Sequence, residues 1–179
     1  MDRPDAAPDE VDRIVDAWEA ERPDLDVEPL RIFSRVHRLA RHLDRARRRA
    51  FEAHDLELWE FDVLSALRRA GAPYELTPGR LIAETLVSSG TMTNRIDRMS
   101  ARRLVARRSS DDDRRIVLVS LTSDGKERVD AAMAGLLDRE RALLAGLSAG
   151  ERDSLAEMLR AVLRPFDAPA ATRPEGHPS

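Results

Sequence analysis

The sequence predicts a mainly α-helical chain with one small β-ribbon, and three observations carry that expectation. Apolar residues recur at spacings of three and four along most of the 179 residues, as amphipathic helices require. Strand-like alternation is confined to about Val105–Leu121, and it is split by a polar segment as a hairpin would be. Between Thr77 and Thr122 the start and stop residues spell helix, turn, second helix, then ribbon. At this length the chain fits one domain with extensions and can bury a sizeable core.

Residues 1–8 are polar and proline-containing, and mobility is expected there. From Asp9 to Glu21 the residues Val11, Ile14, Val15 and Trp18 repeat at helical spacing, giving a short amphipathic helix. The run Arg22-Pro23-Asp24-Leu25-Asp26 stops it, and Asp26 can cap the next helix. That helix, Val27 to about His54, carries Ile32, Val36, Leu39, Leu43, Ala46 and Ala50 as a stripe for burial against other helices. Its other face holds Arg31, Arg35, Arg38, Arg41, Arg45, Arg47, Arg48 and Arg49 against Asp44. Such a face is either solvated and balanced by acidic neighbours or available to phosphates. A third helix, Leu56–Ala70, is expected to bury Trp59, Val63, Ala66, Leu67 and Ala70, with Gly71 and Pro73 ending it.

Thr77 followed by Pro78 is an N-cap with proline at the first helical position, opening a short helix over about 78–86. Ser88, Ser89 and Gly90 supply a turn and a second cap before a helix from Thr91 to Arg103. Met92, Ile96 and Met99 form its apolar stripe. Thr91, Asn94 and Arg98 fall roughly 100° or more from that stripe and point outward. Short polar side chains with an arginine suit base edges in a major groove, and serines at a helix start suit a phosphate. An ordinary solvated face has the same composition. Val105–Arg108 and Ile116–Leu121 then form a hairpin, the second strand apolar on both faces, around a tip holding Asp111, Asp112, Asp113, Arg114 and Arg115. An arginine at such a tip can enter a narrow minor groove, and Asp113 could hold the Arg115 guanidinium in place. The acidic trio lacks the glycine and distal glutamate of a calcium loop, so no metal is expected.

Thr122 caps a long helix through Ala145, with Val129, Ala132, Met133, Leu136, Leu137, Leu143 and Leu144 as burial candidates. Ser148 caps a last one carrying Leu155, Leu159, Val162 and Leu163. The tail from Asp167 is rich in proline and alanine and is expected to be disordered.

A net charge of −3 makes no case for nucleic acid. Distribution does: eight arginines (95, 98, 102, 103, 107, 108, 114, 115) face four aspartates (97, 111, 112, 113) between Gly90 and Arg115, a local balance of +4. There is no cysteine, so thiol redox sensing is excluded. No apolar run could span a bilayer, and a cytoplasmic protein with no membrane partner is the expectation. Histidine pairs, phosphate-binding glycine loops and H-E-x-x-H are missing, so neither an enzyme nor a cofactor is expected. A helix-turn-helix used only for protein contact remains an alternative.

The segment LTPGRLIAETLVSSGTMTNRIDRM, the tip Asp113-Arg114-Arg115 and the strand end Val119-Ser120-Leu121-Thr122 together resemble the MarR-type winged-helix transcription regulators, over about Val27–Arg164. The resemblance implies a homodimer, most often a repressor, that binds pseudo-palindromic double-stranded DNA operators and is released by a small ligand. It places the N-terminal helices at 9–56, a winged helix-turn-helix at 57–122, C-terminal dimerisation helices at 123–166 and a tail at 167–179. The DNA-contacting positions become Ser88, Ser89, Thr91, Thr93, Asn94, Arg95, Arg98, Asp113, Arg114 and Arg115. Two reading helices must sit one DNA turn apart, so the first two and last two helices are assigned to dimerisation.

Trp18 on its added helix, the run ERPDLD, WEFDVLSALRRAGAPYELTP and SSGTMTNRIDR look further like the urate-responsive subgroup that includes HucR, PecS and TamR. That likeness puts ligand-binding roles on Trp18, Asp62, Arg95 and Arg107, with urate or a related purine as effector and citrate or aconitate as the alternative. On spacing alone Asp62 and Arg95 border the apolar stripes, where structural salt bridges or a pocket are both open.

Overall fold

The computed structural model describes residues 7–110 and 113–167. The expected mobile ends, 1–8 and 167–179, fall almost wholly outside them, as do Asp111 and Asp112 of the ribbon tip. The described chain runs α1 (Glu10–Glu21), α2 (Glu28–Glu52), α3 (Leu58–Arg69), β1 (Glu75–Leu76), α4 (Pro78–Thr85), α5 (Ser89–Ala101), β2 (Val105–Ser109), β3 (Val117–Leu121), α6 (Ser123–Leu143) and α7 (Ala149–Asp167). It divides into two compact units, Met1–Leu137 and Asp138–Ser179.

The first unit is built around α3, which is buried almost all round: Glu60, Phe61 and Val63 to Leu67 are inaccessible. Against it pack Ala50 and Phe51 of α2, Leu81, Met92, Ile96, Met99, Leu104, Val105, Val119, and Val129, Ala132 and Leu136 of α6. Phe51 and Phe61 stack with ring centres 3.9 Å apart, adding to the area term that dominates such cores. Trp59 is only half-buried and Ala70 is exposed, so the expected stripe of α3 is shifted towards Phe61 and Leu64.

A capping box opens α1, Asp9 accepting from Val11 and Asp12 N–H groups while Asp12 accepts from Asp9. Val11 and Val15 close a small core with Val27 and Leu30. Acidic residues of α1 cover the N-terminal half of the basic face of α2: Arg35 reaches Asp9 at 2.9 Å and Asp12 at 2.7 Å, Arg38 reaches Glu10 at 2.5 Å and Arg31 reaches Glu19 at 3.3 Å. The balanced-face alternative holds for these three arginines. The apolar stripe behaves otherwise, since Ile32, Val36 and Leu39 are 43–51% exposed.

The sheet is three-stranded and antiparallel in the order β1-β3-β2. The two-residue β1 was not expected, because Glu75-Leu76 is too short to show any alternation. The second ribbon strand begins at Val117 rather than Ile116, and only Val119 of it is buried. One face packs on the core, and Ile116 and Val117 stay exposed.

Thr122 caps α6 as expected, accepting from Gly125 N–H at 3.0 Å. Leu137 and Leu143 are exposed. In the second unit Ser148 opens α7, its N–H donating to Glu151 at 2.7 Å. Met158, Leu159, Val162, Leu163 and Phe166 of that helix are exposed, and only Leu155 is half-buried. Among the described residues no helix is long and apolar enough to cross a membrane.

Candidate nucleic-acid interface and effector residues

The helix pair is set by its caps. Thr77 accepts from Arg80 N–H at 3.3 Å to start α4, and Leu86 ends it in the left-handed region at φ 54°. Ser88 then accepts from Thr91 N–H at 3.3 Å, so α5 begins at Ser89, two residues before the expected start. A serine directly followed by helix consumes the turn that Ser89 and Gly90 were expected to make. Met92, Ile96 and Met99 are 0–1% exposed, which anchors α5 by one face.

The opposite face is open. Ser88, Ser89, Thr91, Thr93, Asn94 and Arg98 are exposed and Arg95 is half-buried. Three hydroxyls are already engaged: those of Ser88 and Thr91 share a hydrogen bond at 2.9 Å, and Thr93 donates to the Ser89 carbonyl at 3.1 Å. Asn94 keeps both edges of its amide available, which suits bidentate pairing with a base. Gly90, Thr91, Asn94, Arg95, Arg98 and Trp59 line a concavity of about 480 Å³.

At the ribbon tip Asp113, Arg114 and Arg115 are all exposed. Asp113 accepts from the backbone N–H of Arg115 at 2.9 Å, a side-chain-closed turn that fixes the backbone rather than gripping the guanidinium. Ile116 N–H donates to the Asp113 carbonyl and Ser110 N–H to that of Ile116. The tip is further tied down at its base, where Arg108 on β2 forks onto Glu75 on β1 at 2.7 and 2.8 Å across β3.

Three polar braces that sequence reasoning missed hold α5. Along its second half Trp59 donates its indole N–H to Glu57 at 2.6 Å, Arg98 donates to the other Glu57 oxygen at 2.9 Å, and the guanidiniums of Arg98 and Arg95 lie 4.8 and 5.5 Å from the Trp59 ring. On its wing side Asp97 pairs with Arg107 of β2 at 2.6 Å. At its end Arg102 pairs with the fully buried Glu60 at 2.5 Å and with Asp55 at 2.6 Å. Asp55 also meets Arg128 of α6 at 2.8 Å. Its carboxyl is held below the usual range by the Arg128 hydrogen bond first and by the Arg102 charge next. The only sequence signal for any of these was Glu57-x-x-Glu60 at a helix start, because each brace joins residues from different elements.

The four residues assigned to an effector lie as follows. Trp18, 47% exposed, lines an apolar pocket of about 430 Å³ with Ile14, Ala17 and Glu21. Arg95 lines the concavity on α5, stacked on Trp59. Asp62 is half-buried, with Arg47 of α2 at 3.8 Å, and Arg107 is held by Asp97. The structure therefore puts Trp18 and Arg95 in separate pockets and gives Asp62 and Arg107 ion-pair partners of their own. Arg47 is new to this set, and its Nε is buried without a partner.

The sequence pattern of the MarR family matches residues 54–116, from the end of α2 to the ribbon tip. The HTH-type transcriptional regulator PecS of Dickeya dadantii is 35% identical over 150 residues, covering 84% of this chain and 90% of PecS. The chain belongs to the MarR family. Among solved structures, a mutant E. coli MarR complexed with operator DNA is 27% identical with a TM-score of 0.63, over 78% of this chain and 99% of that one. Bordetella bronchiseptica BpsR, whose DNA binding is regulated by 6-hydroxynicotinic acid, is 28% identical with a TM-score of 0.55, over 75% and 94%. MarR-family proteins are DNA-binding transcription factors and not enzymes. Their winged helix is what α4, α5 and the β2-β3 hairpin form here.

Proposed function

We propose that this protein is a homodimeric repressor that binds a pseudo-palindromic operator and lets go of it when a flat, weakly acidic metabolite, urate or a related purine, is bound. The observation that carries the DNA half is the two-sidedness of α5: Met92, Ile96 and Met99 are sealed in the core while Thr91, Asn94 and Arg98 stand exposed beside an arginine-tipped hairpin. Phosphate contacts from Arg114 and Arg115 supply affinity and Asn94 with its neighbours supplies readout. Operator binding by a MarR relative at 27% identity supports the same assignment.

The effector half rests on residue types and on the Asp97–Arg107 pair. A flat anion that draws Arg107 away leaves Asp97 on α5 without its partner, and Arg95 offers a second cation on the same helix. Trp18 offers a ring face and Asp62 an acceptor. The relative BpsR responds to 6-hydroxynicotinic acid, another flat aromatic acid. Linkage then requires that operator and effector weaken each other by the same factor, typically about 5- to 150-fold.

The test is a mobility-shift titration of urate against the promoter region beside the protein's own gene, with citrate as the contrasting arm. Urate should release the wild type, and Trp18→Ala, Asp62→Asn and Arg107→Ala should blunt the release. If citrate alone releases it and Trp18→Ala is indifferent, a tricarboxylate replaces the purine. No release by millimolar urate rejects the purine effector.

A further inference from the structure

The start of α3 faces the reading side of α5 with a carboxylate, an unusual choice beside a surface meant for phosphates. Glu57 spends one oxygen on the Trp59 indole N–H at 2.6 Å and the other on Arg98 at 2.9 Å. Trp59 in turn presents its ring to Arg98 and Arg95. The Trp59 N–H therefore holds the carboxylate towards Arg98. Glu57 and Arg98 are 53% and 55% exposed, so the pair is open to competition from an arriving phosphate, and an exposed pair of this kind is worth little.

We propose that Glu57, held by Trp59, is a specificity-determining residue: it occupies Arg98 in the free protein and so discourages DNA that offers only phosphates. Non-operator duplex can take Arg98 only by breaking the Glu57 contact, with nothing but one phosphate contact in return. An operator repays the loss through base-edge contacts made by the same helix. The Trp59 ring keeps the guanidinium in place during the exchange, because attraction to an aromatic face does not depend on the carboxylate. This rests on the DNA-binding reading above.

The experiment measures affinity for the operator and for a scrambled duplex of equal length, across a salt series, with wild type, Glu57→Gln, Trp59→Phe and Asp16→Asn. Asp16 is exposed on α1 and supplies the baseline for losing one negative charge. Glu57→Gln should bind scrambled duplex about two- to five-fold tighter than Asp16→Asn does, with a smaller gain on operator, so the specificity ratio falls. Its salt slope on scrambled duplex should steepen by about 0.9 per subunit as Arg98 gains a phosphate. Trp59→Phe keeps the ring and deletes the N–H that fixes Glu57, and should shift the ratio the same way by less. Glu57→Gln matching Asp16→Asn, or raising both duplexes equally, overturns the proposal while leaving the DNA-binding reading intact. A wild type that binds neither duplex removes that reading and the proposal together.

Discussion

Gly125 lies where the first turn of α6 crosses the backbone of Leu104, and a Cβ there would sit 2.0 Å from the Leu104 carbonyl oxygen. Alanine would gain about 1 kcal/mol of helix propensity, but the contact is with main chain that Thr122 also holds, donating to the Arg103 carbonyl at 2.7 Å. Gly125→Ala is therefore expected to destabilise by about 1–3 kcal/mol in urea unfolding; a gain in stability would show that the crossing can open. Glu60 and Arg102 make a second residue-scale case. Arg102→Met leaves a fully buried carboxylate without its cation, and breaking such a pair costs about 3–5 kcal/mol. Glu60→Gln, which keeps an acceptor for Arg102 and removes the charge, should cost less. An equal loss in both variants would mean that packing and not charge holds the end of α5. Neither residue was legible in the sequence. No local feature of the sequence marks the crossing at Gly125, and Glu57-x-x-Glu60 marks a helix start without announcing that α3 is buried almost all round.

Elements were more legible than residues. The caps at Thr77, Ser88, Thr122 and Ser148 and the stripe Met92, Ile96, Met99 located the helix pair to within two residues, since caps and periodicity are local physics. The two-residue β1 escaped because it exists only by pairing with β3. The α1–α2 pairing was half visible, as an arginine-rich face with its acids on another helix. Those acids make a prediction. Asp9 and Asp12 are held below the usual carboxylate range by hydrogen bonds from Arg35, and Glu10 by one from Arg38. For groups with depressed values the stabilisation is fully present above the ordinary range, about pH 4, and is lost as pH falls through the depressed values. Trp18 fluorescence, read in a Trp59→Phe background, should report α1 loosening below about pH 4, and Arg35→Ala should remove most of that acid dependence. A signal flat down to pH 2, or a transition near neutrality, would contradict the ion-pair account of this helix.

At the scale of the whole molecule the exposed apolar residues are what supports the proposed dimer. Ile32, Phe33, Val36 and Leu39 on α2, and Leu159, Val162, Leu163 and Phe166 on α7, are 41–80% exposed. Faces of this kind mark association surfaces, and a DNA-reading dimer needs one. Sedimentation at micromolar protein should give twice the chain mass of 20.1 kDa, and Val36→Asp together with Leu39→Asp should shift it towards the monomer; an unaltered dimer would move the interface off α2. Likeness to a family supplied the effector set, spacing marking only Asp62 and Arg95 as boundary charges, and in one chain Trp18 and Arg95 line different pockets. If α5 and the ribbon tip grip DNA as proposed, fluorescence anisotropy of a labelled own-promoter duplex between about 50 and 200 mM salt will report it. The wild type should lose affinity steeply with salt, Arg115→Ala should flatten the slope by about 0.9 per subunit, and Asn94→Ala should weaken the operator without changing the slope. Binding that ignores salt, or that is untouched by both substitutions, would contradict the account.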